Sequence, residues 1–449
     1  MKFHIMTFGC QMNVHDSQWL TAALESRGWE QAPEEEAQVY ILNTCSVREK
    51  PEQKVYTELG RIGVYLKRDP NIFAAVGGCV GQQVGKAFFS RFPFVKLVFG
   101  TDGIANAPNA LESLAEGAEE RIALLDFVDV YLEREVPQDA SRVEHATRQA
   151  FVNIMQGCDN FCTYCVVPYT RGRQKSRHPE LVVEECRKLV QAGVREITLL
   201  GQNVNSYGLD KGGVGVTFAQ LLHMVAEIPG LDRLRFTTSH PKDIAPEVIR
   251  AFGELDNLCP SLHLPMQAGS DDVLRRMGRK YDCKRYLDIV KSLREARPDL
   301  SLTTDLIVAF PGEAEKDFQQ TLEMVEQVGF ESSFSFKYSD RPGVAAVKMT
   351  PKVAPDVAAD RLLRLQNLQN DITRKCLKKR VGTEDNVLVE GKSRKQEDEG
   401  VYWRGRDSAG RVVNFRFDEG VDLEGMMVPV RIVVAKKHSL VGERTGEPW

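Results

Sequence analysis

Cys158, Cys162 and Cys165 stand in G-C-D-N-F-C-T-Y-C, a CxxxCxxC triad. Three thiols so close together suit a soft metal, and an iron–sulfur cluster is the leading reading. A four-iron cube held by three cysteines keeps one iron free of protein ligands, and such an iron can bind and reduce a small molecule. Zinc is the competing reading. Structural zinc sites, however, pair one closely spaced couple with a second downstream, and no second CxxC exists in the chain.

A second set is scattered. Cys10, Cys45 and Cys79 each follow an apolar run, at 3–8, 39–42 and 72–76, through Gly9, Asn43-Thr44 and Gly77-Gly78. Helical stretches at 16–27 and 48–68 separate the runs. Such alternation predicts an open parallel sheet over 1–118. In open α/β sheets the ligand site lies outside the carboxyl ends of the strands, so these thiols are expected to converge. The bland alternative is three small buried residues closing strand ends. Repetition at equivalent positions argues against it.

From residue 144 to 375 the strand–helix period returns. Strands are expected at 151–155, 196–200, 233–237, 261–264, 301–308 and 332–337, with helices between them. This pattern predicts a (β/α)6 partial barrel, whose chemistry belongs on loops at the carboxyl ends of its strands. The triad loop follows the first of these strands. Polar turns follow the others, including Gly201-Gln202-Asn203-Val204-Asn205, Thr238-Ser239-His240-Pro241 and Pro265-Met266-Gln267-Ala268-Gly269-Ser270. Helix capping explains most such residues singly; facing one rim together, they suggest a pocket for a polar organic cofactor. Its candidate residues are Gly201, Asn203, Ser239, Gln267 and Asp305. The polar, increasingly acidic stretch 119–143 reads as a linker or peripheral excursion.

After Arg380 the texture changes to short strands at 386–390, 401–406, 411–417 and 427–435. They predict a small antiparallel, OB-like β-barrel over 378–441, of a kind that often binds nucleic acid. Phe415 and Phe417 share one face and are expected in its core. Two basic runs stand out: Arg171, Arg173, Lys175 and Arg177, then Arg374, Lys375, Lys378, Lys379 and Arg380. A charge run is most often only a solvated face. Candidate RNA contacts are Arg171, Arg173, Lys378, Lys379, Arg380, Trp403 and Arg404, with the tail expected beside the barrel mouth.

A net charge of −4 over 449 residues excludes a generic polyanion binder. No apolar run is long enough to span a membrane. The start, M-K-F-H-I-M-T-F-G-C, has no apolar signal core, so a cytoplasmic protein with reduced thiols is expected. Cys186, Cys259, Cys283 and Cys376 are read as small buried hydrophobes.

T-F-G-C-Q-M-N (7–13), N-T-C-S-V-R (43–48), G-G-C (77–79), Q-G-C-D-N-F-C-T-Y-C-V-V-P-Y-T-R-G (156–172) and R-P-G-V-A-A (341–346) together carry a resemblance. The chain resembles the radical S-adenosylmethionine methylthiotransferase family over nearly its whole length, and its tail resembles the TRAM RNA-binding module. Val344-Ala345 stands where that family more often has Thr-Pro. Gln11-Met12-Asn13 and the 201–207 turn are similar to the branch acting on isopentenylated adenosine. The resemblance implies two [4Fe-4S] clusters. One, on Cys158, Cys162 and Cys165, would chelate S-adenosylmethionine for reductive cleavage; the other, on Cys10, Cys45 and Cys79, would supply sulfur. It implies methylthiolation at C2 of adenosine 37 in tRNA, with the anticodon stem-loop as partner, an electron donor of reductase or flavodoxin type, and a monomer. The alternatives are the same chemistry on threonylcarbamoyladenosine or a ribosomal protein, and an RNA-binding iron–sulfur sensor without turnover.

Overall fold

The computed structural model describes all residues except 46–48, 67–68, 135–147, 394–400 and 418–419. Ser46, Val47 and Arg48 of the second N-terminal motif therefore lie outside the described residues.

Strands β1 (Lys2–Phe8), β2 (Glu30–Gln31), β3 (Val39–Thr44), β4 (Phe73–Gly77), β5 (Val95–Phe99) and β6 (Ile122–Leu124) form one parallel sheet in the order β2-β1-β3-β4-β5-β6. The central strands β3 and β4 are buried along their whole length, as a sheet covered by helices on both faces requires. Alternate residues feed two cores. Val39, Ile41, Phe73, Ala75 and Leu97 face one layer, and Tyr40, Leu42, Ala74, Val76 and Val98 the other.

The stretch expected to be a linker is a working part of this domain. Residues 122–124 are its edge strand, paired with β5. Beyond it, Arg134 forms a buried ion pair with Asp16 at 2.6 Å, and the exposed Glu133 pairs with the buried Arg177 at 2.8 Å. Residues 135–143 lie outside the described residues.

The middle of the chain is a half-open barrel. Strand β7 (Gln149–Asn153) leads into a short antiparallel ladder, β8 (Met155–Gln156) with β9 (Lys175–Ser176), which clamps the base of the triad loop. Then come β10 (Glu196–Leu200), β11 (Arg233–Thr237), β12 (Ser261–His263), β13 (Ser301–Val308) and β14 (Ser332–Lys337). They pair in parallel as β7-β10-β11 and β12-β13-β14, joined by a bridge between Leu234 and Leu258. Outer helices, ending with Pro355–Lys378 against β14, complete one continuous core.

Strands β15 (Glu384–Lys392), β16 (Tyr402–Arg406), β17 (Val412–Arg416), β18 (Met427–Ala435) and β19 (Leu440–Arg444) close a barrel in the order β15-β16-β17-β19-β18. It is antiparallel except for the parallel pair β17–β19. This tail does not dock on the rim. The turn after β16 reaches the amino ends of the half-barrel strands instead. There Arg235 donates to the Asp407 carbonyl at 3.2 Å, and Arg233 to that of Arg406 at 3.1 Å. Arg411 bridges Glu331 and Asp407 at 2.7 and 3.1 Å. Guanidinium groups at that end need acceptors once buried, and the tail provides them.

Candidate active site

The N-terminal thiols do converge. Cys10 caps the helix Gln11–Glu25, Cys45 follows β3, and Cys79 lies in the first turn of the helix Gly78–Val84. The strand ends are stitched together. Asn13 donates to the Asn43 side chain at 3.1 Å, Asn43 donates back to the Asn13 carbonyl at 3.0 Å, and Thr44 Oγ1 donates to the Gly77 carbonyl at 2.8 Å. Gly78 is required: at φ +80° a Cβ would lie 2.4 Å from the Thr44 carbonyl. The thiols feel one another. A hydrogen bond from Cys45 brings Cys10 down to about 6 and Cys79 to about 5, against their burial, and the Arg171 charge lowers both further. Cys45, donating to both, is pushed up.

The second triad hangs from the β8–β9 ladder. Gly157, at φ +82°, lets the chain pass the Arg173 carbonyl, which a Cβ would meet at 2.0 Å. Thr163 N–H donates to the Met277 carbonyl at 2.9 Å, tying the loop to the barrel. Burial pushes Cys165 up to about 12 and raises Cys158 as well. Such thiols ionise readily only when a metal replaces the proton. Arg279, buried, reaches Cys162 Sγ at 3.5 Å and the Pro265 carbonyl at 3.0 Å. Among the described residues, no three His, Cys, Asp or Glu side chains gather round a single ion position. A cluster instead spreads its thiolates over separate corners, and its anionic assembly suits the buried arginine beside each triad.

Beside Cys158 the rim holds buried polar atoms without partners: Asn203 Oδ1, both ends of the Asn205 amide, Ser239 Oγ and His240 Nε2. Burial, then Arg279, presses His240 down to about 2, so it stays neutral. Orphaned groups of this kind cost about 1–3 kcal/mol each unless a ligand satisfies them. They fit a polar cofactor. Asp243 holds Asn203 by its amide nitrogen at 2.7 Å. Gly201 contributes space, because a Cβ there would strike Met155. Gln267, buried at φ +71°, bridges to β13 at the rim. Asp305 sits lower, mid-strand in β13, and pairs with His263 at 3.3 Å. Sequence reading missed Arg279 and Asp243, whose importance depends on contacts more than 80 residues away.

The candidate RNA contacts divide sharply. Arg171 is only 3% exposed and lies with the N-terminal thiols. Lys175 and Arg177 of the same run are buried in ion pairs with Asp102, Glu133 and Glu185. Arg173 alone of that run is exposed, its guanidinium 4.9 Å above the ring of Phe161. Phe161 (41% exposed) packs edge-on against Tyr169 (52%), a pair the sequence reading overlooked. Lys378 and Lys379 are exposed where the helix Pro355–Lys378 ends, a favourable place for cations in any helix, and Arg380 follows half-buried. Arg404 lies on the outer barrel face against Glu390. Trp403 is a correction. It is 3% exposed, opposes Phe415 across the β16–β17 ladder, and donates to the Phe417 carbonyl from inside the barrel. Of the remaining thiols, Cys186 and Cys259 are buried and Cys283 and Cys376 half-buried.

Known proteins resemble this chain in sequence and in fold. Residues 152–325 match the Radical SAM superfamily, and residues 2–100 the uncharacterized protein family UPF0004. Among solved structures, the radical S-adenosylmethionine methyltransferase TsrM from Kitasatospora setae is similar in fold: TM-score 0.57 at 15% identity, covering 77% of this chain and 76% of that one. The cobalamin-dependent radical enzyme OxsB gives a TM-score of 0.55 at 12% identity, covering 82% and 56%. In sequence, the tRNA-2-methylthio-N(6)-dimethylallyladenosine synthase of Nitratidesulfovibrio vulgaris is 58% identical over 447 residues, 100% of this chain and 99% of that protein. The protein of the same name from Lawsonia intracellularis is 51% identical over 98% of both. Identity at that level, sustained from the first thiol triad through the tail, means that the chain belongs to the family of tRNA-2-methylthio-N(6)-dimethylallyladenosine synthases.

Proposed function

We propose that this protein methylthiolates C2 of N6-(dimethylallyl)adenosine 37 in tRNA, using S-adenosylmethionine and two [4Fe-4S] clusters. The observation that carries the reading is the pairing of two thiol triads, each at the carboxyl ends of a parallel sheet, with the helix Val167–Thr170 of one loop packed on the helix Gly78–Val84 of the other. Bound there, the clusters and S-adenosylmethionine supply one-electron chemistry able to break an unactivated aromatic C–H bond, and a sulfur to replace the hydrogen. The chain's own groups do the rest. Asn203, Asn205 and Ser239 offer hydrogen bonds to a polar cofactor, His240 stays neutral beside them, and Arg279 balances charge at Cys162. With the tail against the amino ends of the strands, the target base enters from the rim. A tRNA substrate supports a cytoplasmic location; a monomer served by a reductase- or flavodoxin-type electron donor completes the proposal.

Nucleoside analysis of tRNA tests this. Cells lacking the protein should retain N6-(dimethylallyl)adenosine and lose its 2-methylthio derivative; an unchanged nucleoside profile overturns the reading.

The exposed trio Phe161, Tyr169 and Arg173 stands beside the triad loop, where an unstacked loop base would arrive. Base–aromatic stacking contributes about 1–3 kcal/mol. Tyr169→Ala should therefore weaken binding of an anticodon stem-loop about 5- to 100-fold while iron content stays the same. Equal affinity in a filter-binding titration would remove the trio from the interface.

A further inference from the structure

Inside the half-barrel, below the rim, a carboxylate stands among phenyl rings. Side chains alternate along a strand, and Leu302, Leu306 and Val308 of β13 pack with the outer helices. Thr303, Asp305 and Ile307 therefore face the interior. Register carries that face across the sheet: His263 of β12 lies opposite Thr303, and Phe334 and Phe336 of β14 lie opposite Asp305 and Ile307. His263 is held at both ring nitrogens, with Nδ1 2.9 Å from Thr303 Oγ1 and Nε2 3.3 Å from Asp305 Oδ2. Its ring meets that of Phe334 edge-on, centroids 6.3 Å apart. Asp305 is thus oriented through one oxygen, and Oδ1 is left for a donor in the interior.

Phe334 is 55% exposed, and Phe336 beyond it 37%. Exposed apolar surface bordered by polar groups marks a ligand groove. Toward the amino end, the interior cation Arg235 is already paired with Glu196 at 3.0 Å, so it offers little to an anionic ligand. An N6-(dimethylallyl)adenine carries a single N–H and a branched five-carbon chain on the same nitrogen. An acceptor beside an aromatic wall answers both. C6 and C2 flank N1 in the ring, so a base with C2 at the rim directs its N6 group along the interior. A threonylcarbamoyl group on that nitrogen instead brings a carboxylate of its own.

Resting on the substrate reading above, we propose that Asp305 and Phe334 select the N6 substituent of the target adenine. Asp305 Oδ1 accepts the N6–H, and the Phe334 ring covers the dimethylallyl chain. The Asp305 charge turns away an anionic substituent, so discrimination comes from exclusion as well as attraction. His263 is a positioning residue that aims the carboxylate.

The test uses anaerobically reconstituted full-length protein and three synthetic anticodon stem-loops. They are identical except for adenosine, N6-(dimethylallyl)adenosine or N6-(threonylcarbamoyl)adenosine at position 37. Dissociation constants and kcat/KM for methylthiolation are compared for wild type, Phe334→Ala and Asp305→Asn. Phe334→Ala should weaken binding of the dimethylallyl stem-loop about 10- to 100-fold and leave the unmodified one within about twofold. Asp305→Asn keeps an acceptor without the charge. It should bind the dimethylallyl stem-loop about 5- to 10-fold more weakly and the threonylcarbamoyl one about 10-fold more tightly. Equal weakening toward all three stem-loops in Phe334→Ala, or wild-type affinity for the dimethylallyl one, overturns the proposal. So does an Asp305→Asn variant that rejects the threonylcarbamoyl stem-loop as strongly as wild type. Should Phe334→Ala lose its iron, Asp305→Asn decides alone. Wild type that methylthiolates the threonylcarbamoyl stem-loop and not the dimethylallyl one would refute the substrate reading itself, a distinct outcome.

Discussion

Alanine at Cys10, Cys45 and Cys79 together leaves reconstituted protein with about four irons in place of about eight, still able to cleave S-adenosylmethionine and unable to make methylthiolated tRNA. Alanine at Cys158, Cys162 or Cys165 gives the opposite result, with no 5′-deoxyadenosine formed. The separation is expected because the triads hang from different sheets with separate cores, so losing one leaves the other's scaffold standing. Iron analysis, 5′-deoxyadenosine quantitation and nucleoside analysis read the three quantities independently. Methylthiolated product from the N-terminal triple variant would remove those thiols from sulfur delivery. Wild-type iron content in it would remove them from cluster binding.

A second large effect is expected at Lys175, which has no part in the chemistry. Its ammonium lies 2.6 Å from Asp102, with both side chains almost wholly buried, and it also donates to the Val128 carbonyl. Asp102 in turn accepts from the Val128 N–H at 3.1 Å and from Gln156. One carboxylate thus joins the N-terminal domain, the 126–134 segment and the base of the triad loop. Lys175→Met strands that carboxylate in a dry site, which typically costs about 3–5 kcal/mol. The variant should unfold several degrees earlier in a thermal scan. Adding Asp102→Asn should recover part of the loss, since it removes the stranded charge while its amide oxygen still accepts from the Val128 N–H. If the single variant melts like wild type, the pair is not what joins these parts.

How far the sequence could be read depended on the kind of signal. Three candidate ligands were legible from their CxxxCxxC spacing, and the convergence of Cys10, Cys45 and Cys79 because each follows an apolar run and parallel sheets bring strand ends together whatever the separation along the chain. The basic run at 171–177 was not. Charge in sequence carries no record of burial, and three of its four cations find partners or thiols from distant segments, Arg177 through Glu133. Trp403 was legible in principle. Strand alternation puts it opposite Phe415, already assigned to the core, and leaves Tyr402, Arg404 and Arg406 outside. The 122–124 strand escaped notice because three residues at a sheet edge show no period against an acidic background. The tail's seat escaped for a different reason: Arg235 and Asp407 are 172 residues apart, and no local pattern marks that contact.

That seat distributes freedom to change unevenly between its two sides. Arg233 and Arg235 hold the tail through backbone carbonyls of residues 386, 406 and 407. A carbonyl is present whatever side chain the residue bears. The barrel must therefore keep its two arginines, while the tail residues supplying those carbonyls can drift as long as the turn keeps its shape. Among the described residues, Arg411 with Glu331 binds both sides to particular side chains. A tail exchanged between relatives should then seat correctly if its turn has the same length and carries that one arginine, even where little else in it is alike.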